Sequence, residues 1–517
     1  MKKAIAIILA ILTIVAVFAS CGDKPNTPAG SKSTPKPTDP KDPGTTDIPD
    51  DKKLNIDIDS IDYEGDAVYM VHWDAGSGIY NDFGMEADEI NNDAVNDALY
   101  KRNLYTEQAL GIELEFHGIA NANYVKVSNF LNKLNARKSD PTTPIDIIAS
   151  QGRVMPYVIL EGLLTDMSVY SDSLDLDKAW WPQNCREACE IKDKLYFVSG
   201  DISGNLLRSM IVLYTNQAFL SSLGYNYDEF MTSIINYEWT FDTLIEMTSN
   251  CYQPLDADPL PSKEDKFGLV TLYYLSDGLF EGIGYRFLVK SNKDNEIFRL
   301  SNQMATEAVD GYVQKLKDWK ESNNFHMPYN ESYFFDVFKN GNALFLLDYA
   351  WKGFELQKTD IKYSVIPCPA LDTAQKEYFT VCGGGFTVYG ICDVSTDYDR
   401  AAQTIQVLGY NAYSTTTPAL FEISFKGKFA KDDYSITMFD LIRESLIFDV
   451  GKIYDSFIAE VTTGGEQMDN ILPNIVSRSV RDDKVWATEF SPSGKQRFVR
   501  EQIENANKKL LDYVNAQ

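Results

Sequence analysis

The feature that most constrains this fold is the alternation of short apolar runs with helical stretches from residue 54 onward. Strands are predicted at 67–73, 112–116, 145–149, 209–215, 267–272, 343–348, 363–367 and 385–390. Helices are predicted at 93–110, 124–136, 241–250, 302–321, 332–339, 399–412 and 495–514, with Thr240 as the N-cap of the third. This order of elements predicts an α/β fold.

The length of this region predicts more than one hydrophobic core. From residue 54 the chain runs for 464 residues, which exceeds the usual size of a single-core domain. Two lobes are therefore expected. The sequence shows no repeat of the solenoid type.

Residues 1–20 have the composition of a signal peptide. Two lysines precede an apolar run, 4–18, that is shorter than the roughly 20 residues of a membrane-spanning helix. The run ends in Phe18-Ala19-Ser20-Cys21, which resembles a bacterial lipobox. The resemblance implies cleavage before Cys21 and lipidation of its sulfur, and the acyl chains would hold the protein on a membrane surface.

Residues 21–53 are predicted to be the lipidated Cys21 followed by a disordered linker. Between 22 and 53 there are seven Pro, six Lys, six Asp, five Thr and no aromatic residue. Such a segment cannot bury enough apolar surface to fold, and its prolines keep it extended. It is expected to tether the folded part to the membrane.

Charge and cysteine content exclude several classes of partner. The formal net charge of −27 repels phosphate backbones, so no nucleic acid is expected as a partner. Besides Cys21 there are six cysteines, an even number that permits disulfides without establishing them. Cys185 and Cys189 are four residues apart, on one helix face, but no His or second Cys pair accompanies them, so no metal site is expected.

No catalytic motif is present, so the chain is not expected to be an enzyme or to need a cofactor. The three histidines form no H-E-x-x-H arrangement, and no G-x-S-x-G, phosphate-loop or dinucleotide pattern occurs. A glycoside hydrolase would need two carboxylates at a set separation. With 75 acidic residues, such pairs arise by chance and give no positive signal.

Several segments between 66 and 517 resemble, in order, the motifs of one protein family. They are DAVNDALYKRN at 93–103 with LGIE at 110–113, IDII at 145–148 with GLLTDM at 162–167, DKAWWP at 177–182, KLYF at 194–197 with LYTNQ at 213–217, YEWTFDTL at 237–244, FKNGNALF at 338–345 and VIPCPA at 365–370. The chain resembles the extracellular solute-binding proteins of ABC importers, in particular the sugar-binding group known as family 1, over most of 66–517.

The resemblance implies a two-lobed, periplasmic-binding-protein-like fold of type II, with several segments crossing between the lobes. Crossings are expected near 195–201, 383–391 and 451–457. Lobe 1 would comprise 54–195 plus 391–455, and lobe 2 would comprise 200–385 plus 456–517. The implied function is capture of a carbohydrate, such as an oligosaccharide, and its delivery to the permease of an ABC importer. A monomer anchored by lipid on the extracellular or periplasmic side is expected.

Candidate ligand-binding residues are aromatic and polar side chains that directly follow predicted strands. Ligands of open α/β sheets sit beyond the carboxyl ends of strands, and sugars need both hydrogen-bonding groups and flat aromatic surfaces. By resemblance, Trp351 stands where the family places a stacking aromatic, although the glycine of the G-x-W motif is missing at Tyr349. The candidates are Trp73, Asp74, Gln151, Arg153, Asp348, Tyr349 and Trp351, together with Trp180 and Trp181 from the W-W stretch.

Other readings stay open from the sequence. The same fold could bind a peptide, a polyamine or another solute. A surface lipoprotein that binds glycans for adhesion would instead expose its aromatics on a flat face. The triple glycine 383–385 is interpreted as a hinge or as tight backbone packing.

Overall fold

The computed structural model describes residues 50–74, 85–120, 127–257, 260–328, 333–429, 433–463 and 497–516. The predicted signal peptide, Cys21 and the linker as far as residue 49 lie outside the described residues. The predicted linker ends in a turn, Asp50–Lys52, that contacts the folded part. The Ala179 N–H donates to the Asp51 carbonyl at 2.9 Å, and Lys178 Nζ donates to the Asp50 carbonyl at 2.9 Å.

The described residues form strands and helices that alternate along the chain. The strands are β1 (Asp66–Asp74), β2 (Ile112–Ala120), β3 (Ile147–Gln151), β4 (Ile211–Asn216), β5 (Phe267–Thr271), β6 (Leu288–Lys290), β7 (Phe298–Leu300), β8 (Phe325–His326), β9 (Ala343–Tyr349), β10 (Tyr363–Ile366), β11 (Thr380–Val381), β12 (Thr387–Ile391) and β13 (Leu446–Ile447).

The first group of helices lies between β1 and β5 along the chain. These helices are α1 (Ala94–Leu110), α2 (Val127–Lys138), α3 (Met155–Leu160), α4 (Gln183–Cys189), α5 (Asn205–Arg208), α6 (Gln217–Ser222), α7 (Tyr227–Ile235) and α8 (Phe241–Thr248). The later helices are α9 (Asp277–Gly282), α10 (Glu307–Glu321), α11 (Tyr333–Lys339), α12 (Gly353–Leu356), α13 (Tyr398–Ser414), α14 (Thr416–Pro418), a π-helix (Ala419–Phe429), α15 (Asp433–Glu444), α16 (Val450–Thr463) and α17 (Arg497–Ala516).

Two larger sheets organise the chain. The first has the order β12-β3-β1-β2, in which β1 is parallel to both neighbours and β12 runs antiparallel to β3. The second has the order β10-β4-β9-β5-β8, in which β9, β5 and β8 are parallel and β4 is antiparallel to β10 and β9. Every residue of β3, β5 and β9 is buried, as expected for strands covered on both faces.

The predicted strands and helices are confirmed, with end points that differ by a few residues. Local signals explain this agreement. Asp93 accepts hydrogen bonds from the Val95 and Asn96 N–H groups and begins α1, and Gly111 ends it in the left-handed conformation at φ 67°. Thr240 accepts from the Thr243 N–H and begins α8, as predicted.

The chain joins the two sheets at more than one place. It leaves β3 in the first sheet for β4 in the second, and it returns from β10 to β12 in the first. After α13, α15 packs on β10 of the second sheet, and α16 packs on the Gly152–Val154 turn that follows β3. The division of the chain between lobes at 195–200, 385–391 and 455–456 stays a prediction.

The two adjacent tryptophans of the W-W stretch are anchored by one glutamine. Gln406 lies on α13, and its Oε1 accepts from the indole N–H groups of Trp180 at 3.4 Å and Trp181 at 3.0 Å. Its Nε2 donates to the Asn55 side chain. One amide therefore ties α13 to the W-W stretch and to the segment that precedes β1.

The six cysteines after Cys21 are free and buried. Cys185 and Cys189 share α4, and their sulfur atoms are 3.9 Å apart. Burial raises the pKa of the Cys189 thiol well above its usual range. Within the ranges given above, no helix is both long enough and apolar enough to cross a membrane.

The variant Gln406→Ala is expected to lower the free energy of unfolding by about 3 kcal/mol, because two buried indole N–H groups would lose their acceptor. Urea unfolding measures the change. Gln314→Ala is the control, since the Gln314 amide bonds Asp318 on an exposed helix face, and there a change below about 0.5 kcal/mol is expected. Equal stability of the two variants would contradict the anchoring role of Gln406.

Candidate functional site

The candidate site is built around the segment that returns from the second sheet to the first. Cys382 pairs with Met210 in an antiparallel bridge, and the Gly383 N–H donates to the Ser209 carbonyl at 2.8 Å. The Met210 carbonyl also accepts from the N–H of Ala350, which follows β9, at 2.8 Å. The returning segment thus runs past the carboxyl end of β9, where two predicted site residues lie.

Two side chains, one from each side of the segment, pack on two of its glycines. A Cβ atom at Gly383 would lie 2.3 Å from Tyr349 Cε1, so the phenol ring at the end of β9 packs directly on the Gly383 backbone. A Cβ atom at Gly384 would lie 1.8 Å from an Arg153 guanidinium nitrogen, and Arg153 Nε donates to the Gly384 carbonyl at 3.2 Å. The interpretation of this glycine run as tight backbone packing is confirmed.

Three polar residues lie where β3, β12 and the start of α5 come together. Gln151 ends β3 and faces Thr387 of β12 across the antiparallel pair. Asn205, at the start of α5, places its Nδ2 3.5 Å from the Thr387 hydroxyl. The helix α5, which Asn205 begins, packs beside the Ala350–Lys352 turn that carries Trp351.

Several buried polar atoms of this region have no hydrogen-bond partner within the described part of the chain. They are the acceptors Gln151 Oε1 and Asn205 Oδ1, the carboxyl oxygen Asp348 Oδ2 and the donor Trp351 Nε1. Each such atom costs about 1–3 kcal/mol when it is desolvated without a partner. Other parts of the described chain also bury polar atoms without a partner, so it is the position of these four atoms around the returning segment that marks them as places where water or a ligand supplies hydrogen bonds.

Burial dominates the electrostatics of Asp348. It is 2% exposed, and its backbone neighbour Tyr349 N–H donates to Oδ1 at 2.7 Å. Burial raises the pKa of Asp348 to about 7, and the positive charge of Lys352 opposes the rise. The Lys352 ammonium lies 4.2 Å from the centre of the Trp351 ring, which is partly exposed.

The structure places the other predicted residues elsewhere. Trp180 and Trp181 are at most 1% exposed and pack beneath α13, where Trp180 contacts Tyr410 and Tyr413. In this conformation neither indole presents surface to a ligand. Trp73 is buried in the core near the end of β1, and Asp74 is partly exposed at that strand end.

A separate cavity of about 140 Å³ lies on the surface of the region after β3. Its polar rim includes Asp175, Asp177 and Arg186, and Arg186 pairs with Asp177 at 2.6 Å. The Asp175 carboxylate pairs with Lys178 at 3.2 Å. These charges satisfy one another, so the junction at Gly383 and Gly384 is the stronger candidate for a ligand site.

Asn205 and Thr387 are site residues that the sequence does not single out. Neither follows a predicted strand: Asn205 begins a one-turn helix in the connection to β4, and Thr387 begins β12. They come together because the chain just before α5 pairs with β12, where Val198 bridges Tyr389 and the Ser199 hydroxyl donates to the Thr387 carbonyl at 2.7 Å. The nearest sequence signal is the expected crossing near 195–201, which ends four residues before Asn205.

No protein-family model matches the sequence, and no curated protein matches it. Solved structures do match. One is a cyclo/maltodextrin-binding protein in complex with maltotetraose, with 15% identity and a TM-score of 0.51 over 88% of this chain and 99% of that one. Another is the galacto-N-biose/lacto-N-biose I-binding protein of the Bifidobacterium longum ABC transporter, with 12% identity and a TM-score of 0.52 over 88% and 98%. This chain has the two-lobed fold of such solute-binding proteins.

A third structure agrees with this fold. It is the cyclic α-maltosyl-1,6-maltose binding protein of Arthrobacter globiformis, with 12% identity and a TM-score of 0.51 over 88% of this chain and all of that one. The expected two-lobed, periplasmic-binding-protein-like α/β fold is therefore confirmed. Gly383 and Gly384 lie between Tyr349 of the second sheet and Arg153, which follows β3 of the first sheet.

The variant Asp348→Asn is expected to change how stability depends on pH. The folded state holds the Asp348 proton to about pH 7, whereas the unfolded chain releases it near pH 4, so stability falls as pH rises between these values. Asparagine has no carboxyl proton to release, so the Asp348→Asn variant lacks this loss of stability. The free energy of unfolding of the variant, relative to the parent, should rise from pH 4 to pH 7.5 by as much as about 4 kcal/mol.

Urea unfolding across this pH range measures the difference. The control is Asp336→Asn, because Asp336 is an exposed carboxylate paired with Lys339. Parallel stability curves for the Asp348 variant and its parent would show that Asp348 is not held protonated in the fold.

Proposed function

We propose that this protein is a membrane-anchored solute-binding protein that captures a carbohydrate and delivers it to the permease of an ABC importer. The observation that carries the proposal is the set of unpartnered buried polar atoms around the returning segment, on which Tyr349 and Arg153 pack. The structural neighbours named above support it, because they are binding proteins for oligosaccharides.

The polar atoms at the junction suit a ligand rich in hydroxyl groups. Gln151 Oε1 and Asn205 Oδ1 accept hydrogen bonds, whereas Asp348 keeps its proton to about pH 7 and can donate one, so the ligand has to offer both donors and acceptors. A sugar hydroxyl can donate to one of these atoms and still accept from a donor such as Trp351 Nε1. Sugar C–H faces pack on flat aromatic rings, which Tyr349 and Trp351 supply.

The charge at the junction argues against a polyamine ligand. The Arg153 guanidinium lies on Gly384, next to the proposed sugar position, and a second cation there would be repelled. The net charge of −27 belongs to the whole chain and does not describe this site. A neutral polyol meets no such opposition.

The proposed cycle needs no catalytic step. A sugar binds between the lobes, and it favours the closed arrangement to the extent that it contacts both. Tyr349 ends a strand of the second sheet and Trp351 follows it, whereas Gln151 ends a strand of the first sheet and Arg153 follows it. A ligand that touches both groups therefore stabilises closure, and the closed form is the one that we expect to dock on the permease.

Calorimetric titration of residues 50–517 with mono- and oligosaccharides tests the proposal. Saturable one-site binding is expected, and Trp351→Ala should weaken it about tenfold or more, because the ligand loses a stacking surface. Tyr225→Ala is the control, since Tyr225 is an exposed aromatic residue between α6 and α7. Absence of heat with every sugar, in a folded protein, would refute carbohydrate binding.

The proposed location depends on Cys21. Metabolic labelling with a palmitate analogue should label the full-length protein, and Cys21→Ala should abolish the label and leave the protein out of the washed membrane fraction, because no acyl chain is attached. Cys251→Ala, at a buried cysteine, is the matched control and should keep the label. Labelling of the Cys21→Ala variant would refute the prediction that Cys21 is the lipidated residue.

A further inference from the structure

A buried group of charged side chains lies where α16 meets the second lobe. Lys452, on the first turn of α16, forms an ion pair with Asp277 and lies 3.7 Å from a Glu281 carboxylate oxygen, both on α9. Asp277 and Glu281 are fully buried, and Lys452 is 8% exposed. Asp449, just before α16, is buried beside them and accepts from the Gly451 N–H at 2.5 Å.

Lys452 and Asp277 carry their charges at neutral pH, whereas burial raises the pKa of Glu281 well above its usual range. Burial raises the pKa of Asp277 to about 6, and the attraction of Lys452 opposes a larger rise. The two carboxylates of α9 raise the pKa of Lys452 above its usual value despite burial. Lys452 therefore carries its charge, and a directional ion pair joins α16 to α9.

The helix that carries Lys452 also supports the ligand site. α16 packs on the Gly152–Val154 turn, which contains Arg153 and directly follows Gln151. Further along α16, Phe457 packs edge-on against Tyr157 of α3 at 5.4 Å between ring centres. The ring of Phe448, just before α16, packs against Phe386, which in turn covers Gly152.

These contacts make α16 a rigid link between an ion pair on one lobe and a binding turn on the other. At its first turn, α16 is held through Lys452 by α9, which follows β5 of the second sheet. The same helix packs on the turn that follows β3 of the first sheet. Apolar packing is non-directional, whereas the Lys452 ammonium pairs with Asp277 and lies 3.7 Å from a Glu281 oxygen, which fixes its position. Buried ion pairs are weak sources of stability, and in some proteins they select one arrangement.

We propose that Lys452, Asp277 and Glu281 are positioning residues that hold the Gly152–Val154 turn, and with it Arg153 and Gln151, against the second lobe. They do not touch the ligand. They act through α16, and they fix the distance between the polar groups of the first lobe and the aromatic residues Tyr349 and Trp351 of the second. The effect on affinity rests on the proposed function, whereas the effect on lobe position does not.

The test replaces Lys452 and its two partners on α9 with neutral side chains of similar shape, Lys452→Met with Asp277→Asn and Glu281→Gln, and keeps Asp449, which Arg286 also attracts. Removal of one charge alone would leave its partner buried and unpaired at a cost of about 3–5 kcal/mol, and the triple change avoids this. The matched control is Lys426→Met with Glu422→Gln and Asp440→Asn. Lys426 also pairs with two carboxylates, but on the π-helix and α15.

Two measurements follow. Spin labels on Asn132→Cys in α2 and Gln314→Cys in α10 report the distance between the lobes without ligand, because both positions are exposed and the native cysteines of the described chain are buried. Calorimetry with the sugar that binds the parent reports affinity. The Lys452 triple variant should show a shifted or broadened distance distribution and about tenfold weaker binding, and the Lys426 triple variant should match the parent in both.

An unchanged distance distribution in the folded Lys452 triple variant would overturn the proposal. If the parent binds no sugar, the proposed function fails, and the distances alone decide the positioning role. If the triple variant does not fold, Lys452→Arg replaces it. Arginine keeps the charge but needs a wider, planar pairing geometry, so it should also shift the distances, and an unchanged distribution would again overturn the proposal.

Discussion

The close approach of two side chains to adjacent glycines is the contact on which the candidate site depends. Tyr349 comes from the second sheet and Arg153 from the first, and each packs on the backbone of one glycine in the segment that returns between the sheets. A larger residue at either glycine would push its partner away. The width of the junction is thus set by the absence of two Cβ atoms, and the remaining polar groups of the site are arranged around it.

Several polar groups of the junction lack hydrogen-bond partners within the described chain. Some buried polar groups are satisfied within the chain, as Gln406 satisfies two indole N–H groups and Asp146 accepts from the Tyr69 N–H and the Ser395 hydroxyl. At the junction, Gln151, Asn205 and Asp348 keep polar atoms without a hydrogen-bond partner in the described chain. Burying these atoms without a ligand is unfavourable, and a ligand that forms hydrogen bonds with them removes the penalty. The same atoms can therefore serve recognition and control of closure.

The joint between the lobes combines two kinds of interaction. Around α16, aromatic rings such as Phe457 and Tyr454 fill space, with Tyr454 packing on Phe298 at 4.7 Å between ring centres. The Lys452 ion pairs add direction, because charges have a narrow range of favourable positions. A joint built only from apolar contacts would be less selective for one arrangement of the two lobes, and the binding turn after β3 would share that freedom.

Local sequence patterns determined the secondary structure, because each element needs only its own residues. The apolar run of β9 and the capping residues Asp93 and Thr240 act within a few positions, so their elements could be predicted almost residue by residue. Strand ends also pointed to Gln151, Arg153, Asp348, Tyr349 and Trp351, which the structure brings near the returning segment. Only the tertiary structure decided that Trp180 and Trp181 turn toward Gln406 on α13, and that Asn205 meets Thr387. These contacts join residues about 180 to 230 positions apart, and such pairs are set by how sheets and helices pack, which no short stretch of sequence encodes.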